Sequence, residues 1–309
     1  MTDGGRTDIL STAPLSMLFF TINCALYGIC AYRSCNTEID SNVLLALGAS
    51  QRELLWEGEW VRLILPNFLH GGLLHILLNN MYLWSIGPSA ESHFGSANFG
   101  TLYLLSGVAG FCFSQIFGGY LAIGASAALF GLLGAELCVK ILRLPRVKYF
   151  WRNHEVRQQI TWIVLFFLIG ISGMMGPIDN WAHLGGFLVG SLLASFFEVW
   201  RLWQRLGMAM IAVVLLLLAL LVGVARWSFF SPEYHVHIAL LAKEEQRTAE
   251  VDTEVAAARK WAKFWGSERA TECLLDTGLN NLWNLDDARQ YGYKQLSLIL
   301  ANQTTDNYK

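Results

Sequence analysis

Ile211-Ala212-Val213-Val214-Leu215-Leu216-Leu217-Leu218-Ala219-Leu220-Leu221-Val222-Gly223-Val224 contains no polar side chain. A helix that crosses a bilayer needs roughly 20 mostly apolar residues, and with its flanks this run fills 207–226. Working back toward the N-terminus, the same criterion marks 181–200, 160–177, 122–141, 98–118, 72–90 and 13–32. Bulk composition agrees: of 309 residues 54% are hydrophobic and only 15% charged, with a mean hydropathy of +0.40. Soluble domains carry nearer a quarter charged residues. A disordered chain and a coiled coil are excluded, and a net charge of −2 offers no basic excess for phosphate neutralisation, so no nucleic-acid partner is expected. Beyond the run the character changes. Residues 1–226 hold 13 Lys/Arg and 12 Asp/Glu, whereas 227–309, far shorter, hold 9 and 12. The fold expected is an all-α polytopic membrane helix bundle followed by a small, mostly helical polar tail over 228–309.

Orientation follows from the connections. Lys140, Arg143, Arg146, Lys148, Arg152 and Arg157 crowd the loop between the fourth and fifth spans, and Arg201 and Arg205 lie between the sixth and seventh. Basic loops stay cytosolic, which puts the short arm 1–12 in the cytosol and the tail on the extracytosolic side. The first loop, 33–71, carries Trp56-Glu57-Gly58-Glu59-Trp60-Val61-Arg62. Its two tryptophans suit the headgroup layer and predict a semi-embedded loop. The six cysteines, Cys24, Cys30, Cys35, Cys112, Cys138 and Cys273, show no pairing or zinc-binding spacing. Neither a metal nor a cofactor is expected.

The polar residues inside the apolar segments carry the chemistry. Ionisable groups in a span cost several kcal/mol, roughly 3 on insertion scales, and usually face the protein interior. His75, Ser126 and His183 fall in the second, fourth and sixth spans, which run in the same direction from the outer face. Each lies two to four residues in, so at about 1.5 Å per residue they share one depth. Asn79 sits one turn below His75 on the same helix face. A transport path would instead place polar groups at several depths. A serine hydroxyl becomes nucleophilic when a neutral imidazole takes its proton, and the oxyanion that follows needs backbone, amide or imidazole donors. No Asp or Glu of these three spans lies at this depth, so a dyad is expected rather than a triad. Gly186 and Gly190 form a G-x-x-x-G step, which lets helix backbones approach closely.

Taken together these stretches resemble the rhomboid family of intramembrane serine proteases. Gly124-Ala125-Ser126-Ala127 resembles its G-x-S-x nucleophile motif. Ala182-His183 with Gly186 and Gly190 resembles its A-H-x-x-G-x-x-x-G helix, and the stretch from His70 through His75 to Asn79 its H-x-x-x-x-H-x-x-x-N segment. Trp60-Val61-Arg62 resembles the W-x-R of its first loop, and Gly87 with Glu91 the G-x-x-x-E of its second helix. The resemblance covers residues 13–203 and implies a six-helix catalytic core, with 207–226 as an added seventh helix in a "6+1" arrangement. It implies Ser126 as nucleophile and His183 as general base. It further implies Asn79, His75 and the Ser126 amide as the oxyanion hole, and Phe130 as a ring against the catalytic imidazole. His70, Gly124, Gly186 and Gly190 are the supporting positions. Substrates would be single-span transmembrane proteins entering from the lipid bilayer, cleaved near the extracytosolic face, with the loop Met174 to Asn180 as a cap. The membrane implied is that of the secretory pathway or cell surface in a eukaryote, or the inner membrane of a bacterium; the position of the extra helix argues against mitochondria. Ala127 departs from the family's usual Gly. The alternative reading is a non-catalytic relative that binds transmembrane clients for trafficking or degradation, which retention of both Ser126 and His183 disfavours.

Overall fold

The computed structural model describes residues 13–118, 121–144, 147–172, 178–202, 230–280, 285–287 and 293. The arm 1–12 and the expected seventh helix 207–226 lie outside them, as do 174–177 of the expected cap. The described residues form helices joined by short 3-10 turns, with two isolated β-bridges. They divide into two units. The first comprises Met1–Ser50, Leu63–Gly118 and Ala122–Leu218; the second comprises Gln51–Arg62, Gly119–Leu121 and Ala219–Lys309.

In the first unit, α1 spans Pro14–Ser34 and α2 Ser41–Ala46. In the second unit's part of the first loop, α3 spans Arg52–Trp56. The first unit resumes with α4 (Leu73–Phe94), α5 (Ser96–Phe113), α6 (Ser126–Leu142), α7 (His154–Ser172) and α8 (Asn180–Leu202). The amphipathicity of α4 is inverted relative to a soluble helix. Its buried face holds Ile76, Asn79, Asn80, Leu83, Gly87 and Glu91 at helical spacing. Its exposed face is Leu73, Leu74, Leu77, Leu78, Met81 and Trp84. Outward leucines and inward polar groups are the arrangement a hydrocarbon solvent selects, because a polar group there finds partners only inside the protein. The partners are present. Asn23 Nδ2 of α1 donates to Asn80 Oδ1 at 2.9 Å. Buried Glu91 accepts from the Leu15 N–H at 3.0 Å, from the Ser16 N–H and hydroxyl at 2.8 Å each, and from the Ser96 hydroxyl at 2.7 Å. One carboxylate thus ties the exposed N–H groups at the start of α1 to the junction between α4 and α5.

By length and composition, α1, α5 with its continuation to Gly118, and α7 are long and apolar enough to cross a membrane. The helices α4, α6 and α8, where the sequence places its polar residues, pack in among them. The tightest packing is that of α6 on α8, with α5 against both. A Cβ on Gly186 of α8 would collide with the Ala127 carbonyl oxygen of α6, and one on Gly190 with the Gly131 carbonyl. Glycine is required at these two positions because the helices touch backbone to backbone.

In the second unit, α9 (Pro232–Glu244), α10 (Thr248–Trp265) and α11 (Glu268–Leu279) pack on one another. Trp56 of α3 completes their core, buried among Val236, Leu240, Leu274, Leu275, Leu285 and Tyr293. The sequence assigns Trp56 and Trp60 alike to the headgroup layer. The structure separates them: Trp60 is exposed, while Trp56 meets the Tyr234 ring edge-on at 5.5 Å. Covering its indole with protein removes the same apolar area from water that a lipid surface would. All six cysteines are free thiols.

Candidate active site

Ser126 is the first residue of α6. The turn leading into it is tied down on two sides. Ser50 and Ala122 exchange backbone hydrogen bonds at 3.0 and 2.9 Å, and the Gly124 N–H donates to the Pro66 carbonyl at 2.8 Å. Gly124 has φ +115°, a conformation that L side chains rarely adopt. A Cβ there would also lie 2.6 Å from His75 Nε2. Glycine therefore serves twice, letting the chain turn into α6 and letting the His75 ring approach the turn before Ser126. Because Ser126 opens its helix, its N–H lies among those without intrahelical carbonyl partners.

His183 lies on the first turn of α8, and its Nε2 is 2.9 Å from Ser126 Oγ. Its ring stacks on Phe130, with centroids 4.2 Å apart and planes 11° apart, and Phe167 meets it edge-on at 6.4 Å. Phe130 is one turn below Ser126 on α6, so one helix supplies both the hydroxyl and the surface against which the His183 ring lies. His183 Nδ1 is buried with no hydrogen-bond partner among the described residues.

On α4, His75 Nδ1 accepts from the Gly71 N–H at 3.4 Å. The neutral ring then carries its hydrogen on Nε2, the atom nearest Gly124. Asn79 is buried and donates one amide hydrogen to the His75 carbonyl at 2.9 Å, which leaves the other for a ligand. His70 is fully buried with its ring edge-on to His75 at 5.1 Å.

A model of the Rhomboid domain matches residues 57–198. The chain belongs to the rhomboid family. Rhomboid protease GluP of Bacillus subtilis is 35% identical to it over 213 residues, 69% of this chain and 39% of that protein. RHOMBOID-like protein 5 of Arabidopsis thaliana is 39% identical over 155 residues, 48% of each chain. Rhomboid-like protease 1 of Toxoplasma gondii is 31% identical over 172 residues, 53% of this chain and 58% of that one. The chain spans about half the length of these relatives. As a rhomboid it is an integral multi-pass membrane protein, an all-α bundle.

Of the residues singled out from the sequence, Ser126 and His183 meet at 2.9 Å, Phe130 stacks on His183, Gly124 lies against His75, and Gly186 and Gly190 lie in the α6–α8 contact, whereas Trp60 and Arg62 belong to the second unit and Gly87 and Glu91 pack against the start of α1. Ala127 occupies a defined space. Its methyl is buried, and a Cβ added at Gly110 of α5 would lie 2.5 Å from it. The extra methyl is thus seated against a glycine of the neighbouring helix.

Asp179 was not among the expected residues. It precedes α8 and caps it: its Oδ1 accepts the Ala182 N–H at 3.0 Å, its carbonyl accepts the His183 N–H at 3.2 Å, and its second carboxylate oxygen accepts the Ser114 hydroxyl. It holds the turn that carries the imidazole rather than the imidazole itself. The signal was present as Asp immediately before a helix, the commonest N-cap pattern. Glu59 and Arg62, from the first-loop motif, pair with each other at 2.7 Å.

Proposed function

We propose that this chain is an intramembrane serine endopeptidase that cleaves single-span transmembrane proteins. The observation that carries the reading is the 2.9 Å contact between Ser126 Oγ and His183 Nε2, with the imidazole held flat on Phe130. As Oγ attacks the scissile carbonyl carbon, its proton passes to His183 Nε2, and the same proton is later given to the leaving amine. Ring stacking rather than a carboxylate orients the base, which makes this a Ser-His dyad. The oxyanion is held by the Ser126 N–H at the start of α6, by His75 Nε2–H and by the remaining amide hydrogen of Asn79. The peptide must be unwound to reach this site, because a helical substrate has its carbonyls already hydrogen bonded.

The orientation inferred from the basic loops puts the site near the extracytosolic face, the N-terminus in the cytosol and the tail outside. Support comes from the second unit, in which the first-loop segment Gln51–Arg62 folds together with the tail. Two segments of one compact unit share one side of the bilayer, so an even number of crossings separates them, and the six spans counted from 72 to 226 satisfy that.

The test is cleavage of a single-span model substrate by purified protein in bilayers, comparing wild type with Ser126→Ala and His183→Ala. Each variant is expected to lose at least ~10³ of turnover. Equal product from all three proteins would remove the Ser126–His183 dyad as the source of cleavage, and no product from any of them would leave a non-catalytic client-binding role.

A further inference from the structure

The end of α10 carries a feature that proteolysis does not use. Its first half bears Glu250, Asp252 and Glu254, whereas its last two turns bear Arg259, Lys260 and Lys263 and finish on Phe264-Trp265. Phe264 is 69% exposed, Trp265 47% and Phe230 46%. They are contiguous rather than scattered. Phe230 packs on Trp261 at 5.3 Å, Trp261 meets Phe264 at 5.7 Å, and Phe264 meets Trp265 at 5.0 Å. The Trp265 indole N–H donates to the Phe230 carbonyl at 3.1 Å. Lys260 Nζ lies 5.8 Å over the Trp261 ring, and Lys260 and Lys263 are both exposed. Single exposed aromatics on a surface call for no explanation, but a joined aromatic patch rimmed by cations does.

Chain continuity indicates what covers it. Phe230 follows the apolar run Ile211–Val224 by six residues, and the intervening Ala225-Arg226-Trp227-Ser228-Phe229 is itself basic and aromatic. If that run spans the bilayer, Phe230 emerges at the headgroup layer, and its carbonyl is the group to which Trp265 is bonded. Aromatic residues with a polar edge favour that layer, and cations beside it are drawn to anionic headgroups. The acidic half of α10 would be repelled by the same surface, so the charge gradient along the helix sets which end approaches.

We propose that Phe230, Phe264 and Trp265, flanked by Lys260 and Lys263, seat the C-terminal end of α10 in the headgroup layer of an anionic bilayer, anchoring the tail to the membrane that the chain crosses. The proposal rests on the reading of 207–226 as a span and is independent of catalysis.

The full chain, reconstituted in bilayers with and without phosphatidylglycerol, tests it through a photoreactive benzoylphenylalanine placed singly at Phe264, at Thr253 in the acidic half of α10, or at Leu217 in the apolar run. Irradiation is expected to give lipid adducts at 217 and 264 and few at 253. Adduct yield at 264 should rise by up to roughly 25-fold with anionic lipid, since each of the two cations near such a surface is worth about a fivefold factor. Lys260→Gln with Lys263→Gln should remove that rise. Adducts at 217 without adducts at 264 would overturn the docking alone, and the absence of both would overturn the span and the docking with it. Protein–protein adducts at 264 would assign the patch to a second copy of the chain instead.

Discussion

Two buried histidines, one in each unit, set the imidazole proposed as the base beside one that serves the packing of the tail. His183 and His237 are both nearly or wholly excluded from solvent, and each sits beside aromatic rings. His237 is saturated: Nδ1 is 2.8 Å from the Tyr293 hydroxyl and Nε2 is 3.1 Å from Glu57 Oε1. Its Trp56 neighbour is tilted, with centroids 5.7 Å apart. Among the described residues the His183 ring has one hydrogen-bonded contact, to a serine hydroxyl at a helix start, and a ring stacked nearly parallel beneath it. The presence of a carboxylate is therefore a poor guide here, since it is the structural histidine that has one. A hydroxyl partner at an open helix N-terminus, with donors close by for the charge that develops on attack, is the better guide.

The comparison breaks most sharply if both histidines are removed in turn and read in one cleavage assay. His183→Ala should lower kcat by ~10³–10⁴, whereas His237→Ala should leave it within about threefold. Equal losses would mean that the tail histidine belongs to the catalytic path. Stability should invert the order. His237→Ala strips a partner from the Tyr293 hydroxyl and from Glu57 and is expected to cost the second unit about 2–3 kcal/mol. Faster amide hydrogen exchange across α9 and α11 reads that loss, and His183→Ala should leave the same amides unchanged. Phe130→Leu keeps an apolar neighbour but removes the flat surface under His183. A fall in kcat of about tenfold at constant KM is expected, in line with about 1 kcal/mol for a ring pair; a change in KM alone would assign Phe130 to substrate binding. Ala127→Gly should have the smallest effect, within about threefold in kcat and a melting shift of a few degrees, because it removes one buried methyl. A much larger gain in rate would show that the methyl obstructs the oxyanion site despite its seat against Gly110.

The legible part of the site followed from positions that have one chemical use inside a membrane. His75 and His183 stand out because an ionisable group is costly in a span, and Asn79 and Ser126 because their expected depth, counted along the chain, matches that of the histidines. Gly186 and Gly190 were legible through spacing, and the structure gives the reason, two helix backbones in contact. Asp179 is not legible in the same way, because a residue between spans reads as loop until the helix it caps has formed. The sequence points Trp56 to lipid because an amphipathic aromatic stretch looks the same whether bilayer or protein covers it.

By itself the sequence determined the class of the protein and the helices that carry polar groups, since hydrophobic length and helical periodicity are local quantities. Tertiary structure alone decided which ring nitrogen of His183 faces Ser126, that His75 turns its other nitrogen to the Gly71 N–H, and that Trp56 belongs to the core of the tail. The physical reason is range. Burial patterns and helix caps are written within a few neighbouring residues. Hydrogen-bond partners 57 residues apart, as in Ser126 and His183, or a ring from the first loop covered by residues of the tail, exist only once distant segments have packed.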